Sequence, residues 1–91
     1  MAANNFHLEY EEKFRKQLRK IDKNHAARIM VWLDQNVENC ANPRLYGKAL
    51  AGKLAGLWRY RVGDYRVICV IEDRRLVVLA LEVGHRREIY K

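Results

Sequence analysis

Residues 58–71 read Trp-Arg-Tyr-Arg-Val-Gly-Asp-Tyr-Arg-Val-Ile-Cys-Val-Ile, and their alternation defines a hairpin around which the remaining elements arrange themselves. Trp58, Tyr60 and Val62 fall on one side of an extended chain, Arg59 and Arg61 on the other, the period of two expected of a strand with one covered face. Gly63 and Asp64 have the composition of a two-residue loop between twisted antiparallel strands. Such a loop fixes the register: Val62 faces Tyr65, Arg61 faces Arg66, and Arg59 faces Ile68. Arg59, Arg61 and Arg66 then share one face of the hairpin. Trp58, Tyr60, Val62, Tyr65, Val67 and Cys69 form the other, which is able to pack on helices.

The returning strand runs from Tyr65 to Ile71, and Asp73 and Arg74 occupy the next turn. Residues 76–83 are apolar on both faces apart from Glu82, which predicts an interior strand closed by Gly84. Upstream, residues 42–56 carry Pro43, Gly47, Gly52 and Gly56, too many breakers for a long helix, with room for a turn around Leu50. Ala26, Ile29, Met30, Leu33 and Val37 recur at helical spacing; Asp22 or Asn24 can cap that helix, and the stretch from Cys40 to Pro43 ends it. Tyr10, Phe14, Leu18 and Ile21 mark an earlier helix whose acids come first and bases last, complementing its dipole. Phe6, Leu8 and Tyr10 alternate as a short strand leading into it. The expected class is α+β: an N-terminal strand, an antiparallel two-helix hairpin, then a three-stranded antiparallel meander.

The chain has 91 residues, enough for one core and not for two, so residues 1–91 are expected to form a single domain. Its 18 Lys and Arg against 11 Asp and Glu give a net charge of +7, and 49% of its residues are hydrophobic. That apolar fraction excludes a disordered basic tail, while the charge favours polyanions such as nucleic acid or an anionic membrane. Cys40 and Cys69 stand alone, without a CxxC pair or nearby paired histidines, so neither a disulfide framework nor a zinc site is expected. No cofactor is suggested. The first residues lack the apolar centre of a signal peptide and no apolar run approaches a membrane span, which points to a cytoplasmic protein with no membrane partner.

Like charges directly across a strand pair destabilise a sheet, so Arg61 beside Arg66 gains nothing structurally unless an anion or a carboxylate sits between them. A phosphate suits the site, and Glu82 or Glu88 is the alternative neighbour. The tail, Gly84 to Lys91, leaves an interior strand and is placed to bring His85, Arg86 and Tyr90 to the edge of this face. Together these groups suit a phosphodiester: arginines to neutralise charge on phosphorus, a histidine to move a proton, a tyrosine to stack a base. The alternative is a solvated basic tail, with Tyr90 packed on Ile89 and the sheet. His7 and His25 have no ligand-spaced partners and receive no role, and Trp32 and Trp58 read as core contacts. Lys48 and Lys53 are solvated loop charges by default, or an extension of the basic surface toward an RNA backbone.

Residues 54–68, LAGLWRYRVGDYRVI, the acidic turn and apolar strand after them, and VGHRREIY at 83–90 together resemble the RelE branch of the RelE/ParE toxin superfamily. The resemblance covers nearly the whole chain and is strongest from Lys48 to Tyr90. It implies a bacterial or archaeal type II toxin that cleaves messenger RNA in the ribosomal A site and is neutralised by a small RelB-like antitoxin, with operator DNA reached through the antitoxin complex. The implied chemistry is metal-independent attack of a 2′-hydroxyl on the adjacent phosphorus, giving a 2′,3′-cyclic phosphate and a 5′-hydroxyl. By position, the resemblance implies that Arg66 binds phosphate, that Arg86 is the arginine after the last strand, and that Tyr90 stacks a base. Arg87 joins Lys48 and Lys53 as an RNA contact.

Arg59 and Arg61 depart from this pattern, standing where relatives often carry lysines. A lysine whose pKa is depressed can act as a base; arginine titrates above about 12 and cannot. His85, at a position of variable residue type, is the local replacement by intrinsic pKa, and the competing reading is that it only orients RNA or Tyr90. Toxins of the ParE branch share the fold and target DNA gyrase, so a gyrase inhibitor and a non-catalytic complex component stand as alternatives. Retention of the arginine set with Tyr90 favours RNA cleavage.

Overall fold

The computed structural model describes residues 5–87. Strand β1 (His7–Tyr10) leads into α1 (Glu12–Arg19) and α2 (Lys23–Asn36). There follow β2 (Lys48–Ala49), a 3₁₀ turn at Gly52–Leu54, β3 (Trp58–Val62), β4 (Tyr65–Glu72) and β5 (Val77–His85). The strands make one sheet in the order β1-β5-β4-β3-β2, antiparallel except where β1 runs beside β5. This is the α+β architecture expected from the sequence, with β1 closing the far side of β5 and the two-residue β2 added to the edge of β3.

The hairpin adopts the register fixed by its loop: Val62 pairs with Tyr65, Arg61 with Arg66 and Arg59 with Ile68. Gly63 takes a φ of 61°, the left-handed value that a two-residue hairpin turn needs at its first central position. One face of the hairpin is the core face. Tyr60, Val67 and Cys69 are fully buried there, together with Val78 and Ala80 from β5, Phe14, Ile29 and Leu33 from the helices, and Val37 just past the end of α2. Asp22 caps α2, its carboxylate accepting from the His25 N–H at 3.2 Å.

Helix α2 ends at Asn36 rather than at the Cys40 to Pro43 stretch. Asn39 turns the chain with a φ of 62°, and its N–H donates to the Phe6 carbonyl while the Phe6 N–H donates to that of Cys40, each at 2.8 Å. The helix stops because its end is tied to the start of β1, a partner distant in sequence.

Strand β5 continues through Gly84 to His85, since β4 is long enough to pair with both. Its register carries a bulge: Ile68 pairs with Glu82 but Cys69 with Ala80, leaving Leu81 as the extra residue. An extra residue reverses which face the following side chains occupy. Val78 and Ala80 face the helices before it, and Val83 faces them after it. Beyond Tyr10 no strand among the described residues covers this edge of β5; the side chain of Gln17 in α1 accepts the Val83 N–H at 2.8 Å.

Candidate nucleic-acid interface

The sheet face away from the helices gathers cations in two cross-strand rows. Lys48 of β2 stands opposite Arg59 of β3, and Arg59 opposite Ile68 of β4. Arg61 stands opposite Arg66, and Arg66 opposite Gly84. Arg61 is exposed, whereas Arg59 and Arg66 are half-buried, and the Nη1 of Arg66 is wholly enclosed by protein. The carboxylate of Glu82, the acid nearest in register, is drawn to the Lys13 ammonium of α1 at 3.4 Å. Four basic side chains are thus held on one face by strand pairing.

The residues after β5 divide. The backbone N–H of Arg86 donates to the Asp64 carbonyl at 2.8 Å, which fastens Arg86 to the hairpin tip beside the Arg61–Arg66 row. His85 does not join the arginine face. It pairs with Tyr65, and its ring meets that of Tyr65 edge-on at 5.6 Å on the helix side of the sheet, where Tyr65 also lies 5.3 Å from the ring of His25. The bulge at Leu81 is the cause, because uninterrupted alternation from Val78 and Ala80 would have sent His85 to the opposite face. Arg87 is exposed, and its N–H donates to His85 Nδ1 at 3.2 Å. Lys53 is exposed in the 3₁₀ turn and belongs to neither cross-strand row. Tyr90 lies outside the described residues.

The loop before β2 was legible in sequence only as a run of breakers, yet it is firmly placed. The Tyr60 hydroxyl, kept protonated by burial that pushes its pKa up, donates to the Pro43 carbonyl at 2.5 Å. Arg44 clamps Asp73 with two hydrogen bonds of 2.9 Å, holding that carboxyl below its usual range, and Trp58 Nε1 donates to the Tyr46 carbonyl at 2.8 Å. Gly47, at φ +86°, lets the chain press onto β3: a Cβ there would sit 2.3 Å from the Arg59 carbonyl oxygen. The result is an open groove of about 370 Å³ lined by Trp32, Tyr46, Gly47, Lys48, Arg59 and Arg61. A tyrosine before a close-approach glycine was the signal available for Tyr46, and it pointed to no partner.

Chemically, the face can hold phosphate oxygens and neutralise charge developing on phosphorus. Guanidinium groups keep their protons throughout the neutral range, so the three arginines of these rows act as fixed charges and not as acids or bases. Among the described residues no group of three His, Cys, Asp or Glu could hold a metal ion. Burial raises the pKa of both Cys69 and Cys40, which leaves them as poor nucleophiles.

Residues 8–90 match the family described as ParE toxin of type II toxin-antitoxin system, parDE. The toxin RelG of Mycobacterium tuberculosis is 41% identical over 49 residues, covering 54% of this chain and 56% of its own, so the match spans about half of that relative. The toxin-antitoxin complex RelBE2 of the same organism contains a chain that superposes with a TM-score of 0.83 at 26% identity, over 94% of this chain and 97% of that one. The intact Escherichia coli RelBE toxin-antitoxin complex matches with a TM-score of 0.71 at 21% identity, over 88% of this chain and 95% of that one, a likeness of fold alone.

Proposed function

The chain belongs to the ParE toxin family of type II toxin-antitoxin systems and has a RelE-like toxin fold, and from that premise we propose that it is an endoribonuclease cleaving messenger RNA in the ribosomal A site. The observation that carries this reading is the cation face: Arg61 set directly against Arg66, with Lys48 against Arg59 and Arg86 fastened to the hairpin tip. Like charges set across a strand pair cost stability, a polyanion bound over them offsets that cost, and paired guanidiniums suit the oxygens of a phosphodiester. In the reaction the 2′-oxygen forms a bond to the adjacent phosphorus while the bond to the 5′-oxygen breaks, leaving a 2′,3′-cyclic phosphate and a 5′-hydroxyl. The proton leaving the 2′-hydroxyl is balanced by one arriving at the 5′-oxygen.

The arginines stabilise the doubly charged oxygens of the transition state, which supplies the larger part of the rate in this reading, and no metal is needed. His85, on the helix side of the sheet, takes no part as a base; protons pass through solvent, the ribosome or Lys48. The ribosome holds the RNA in line for attack, so free RNA is cut slowly. A cytoplasmic location and neutralisation by an acidic, RelB-like antitoxin that folds over the +7 surface complete the proposal.

Induced expression followed by mapping of messenger RNA ends tests it, with cuts expected inside codons of ribosome-bound transcripts. The description of the matched family supports a second reading, a gyrase inhibitor of the ParE kind. Under that reading a DNA damage response precedes translation arrest and messenger ends stay intact.

A further inference from the structure

Tyr46 is an aromatic side chain that the fold holds in place but does not use. It is 44% exposed, in a molecule whose other large exposed hydrophobics are Val31 and Leu45 among the described residues. Its backbone is fixed by the Trp58 indole at 2.8 Å and by the close approach of Gly47 to β3. Its ring meets that of Trp32 edge-on at 5.6 Å, and Trp32 is braced in turn by buried Tyr60 at 5.5 Å. An aromatic ring on a rigid mount loses little entropy when a second ring settles on it. The groove that it lines, about 370 Å³, is also lined by Lys48, Arg59 and Arg61. Its volume lies in the range of small-molecule sites. The lining therefore combines aromatic rings that suit a flat apolar face with cations that suit phosphate, which together match the two halves of a nucleotide.

We propose that this groove is a nucleotide subsite in which Tyr46, backed by Trp32, stacks the base of a nucleotide flanking the scissile phosphate, while Lys48 and Arg61 hold its phosphate. The inference rests on the RNA-cleavage reading above and deepens it by extending the substrate path over the open edge of β3. Stacking tolerates every base, so the subsite fixes the position of the strand and not its sequence. It lies on the chain stretch before β2, distant in sequence from Arg86 at the hairpin tip.

The test is equilibrium binding of a fluorescein-labelled, 2′-O-methyl RNA heptamer, which cannot be cut by 2′-hydroxyl attack, across a salt series. Tyr46→Ala is expected to weaken binding about 5- to 100-fold, the range found when a stacking aromatic is removed, without changing the salt slope. Lys48→Ala and Arg61→Ala are expected to reduce that slope by about 0.7 each, one phosphate contact on a single strand. Tyr46→Phe, which keeps the ring and the fold, should bind within about 2-fold of wild type. An abasic nucleotide placed at the stacked position should cost the wild type as much as Tyr46→Ala does and cost Tyr46→Ala nothing further.

If Tyr46→Ala and Tyr46→Phe both bind as wild type while Arg61→Ala and Arg66→Ala bind weakly, the subsite is overturned and the arginine face stands. If the wild type itself fails to bind the heptamer, or binds it equally without Arg61 and Arg66, both readings fall. Loss of an antitoxin's binding on Tyr46→Ala with RNA affinity unchanged would make the groove a protein-docking surface and also overturn the proposal.

Discussion

Strands β3 and β4 have two faces built from alternate residues of the same fourteen-residue stretch, and the two obey opposite rules. Toward the helices, Tyr60, Val67 and Cys69 are 0% exposed and interlock with α1 and α2, as local stability demands. Toward the outside, Arg61 and Arg66 confront one another across the ladder, an arrangement that a stability-driven sheet avoids. Neighbouring positions on one backbone thus serve packing on one side and crowd like charges on the other, and the crowded side is the one that the proposed function assigns to RNA. Substitutions should therefore separate stability from activity according to face.

The largest effect belongs to the covered face. Tyr60→Ala removes a fully buried ring and its hydrogen bond to Pro43, and should cost about 3–5 kcal/mol in urea denaturation, abolishing toxicity through unfolding. On the open face, Arg66→Ala should lower the single-turnover cleavage rate by about 10²- to 10³-fold while the protein keeps a cooperative unfolding transition. Loss of that transition would make Arg66 a structural residue and erase the contrast. Arg61→Ala sharpens it further: relief of the like-charge pair is expected to leave stability unchanged or raise it by about 0.2–1 kcal/mol, while activity falls.

His85→Gln probes the boundary between the faces. With the imidazole set against Tyr65 on the helix side, cleavage should stay within a few fold of wild type, and the acidic limb of the pH–rate profile should persist. A collapse comparable to that of Arg66→Ala would restore His85 as the base. The smallest effect is expected far from both faces, at Asp73. Arg44 hydrogen bonds lower its folded pKa, so its contribution is present above the unfolded carboxylate value near 3.9 and is lost as pH falls through the folded one. Asp73→Asn should flatten the stability–pH curve only in that acidic window.

The hairpin was readable from sequence because its determinants are local: alternation, a Gly-Asp loop and the arithmetic of a two-residue turn fix every pairing from Trp58 to Cys69. The helical stripes through Phe14 and through Ile29 and Leu33 were legible for the same reason. The end of α2 was not, because Asn39 and Cys40 exchange hydrogen bonds with Phe6, some thirty residues away. Nor was the side on which His85 emerges, since a single extra residue at Leu81 reverses the face without disturbing the apolar pattern of β5. Lys48 was legible as a basic loop residue but its place opposite Arg59 was not, and Tyr46 was not seen as a site residue at all, for a third reason: two residues of β2 are too few to show a period. Their placement depends on Gly47 and on side chains reaching from β3.

The most direct test of the cation face is single-turnover cleavage on ribosomes programmed with a messenger codon in the A site, comparing wild type with Arg61→Ala/Arg66→Ala. The wild type should cut within that codon and leave a 2′,3′-cyclic phosphate. The double variant, with an unfolding midpoint close to wild type, should leave the message whole. An intact message with the wild type, or cutting by the double variant at the wild-type rate, would contradict the assignment of this face to RNA cleavage.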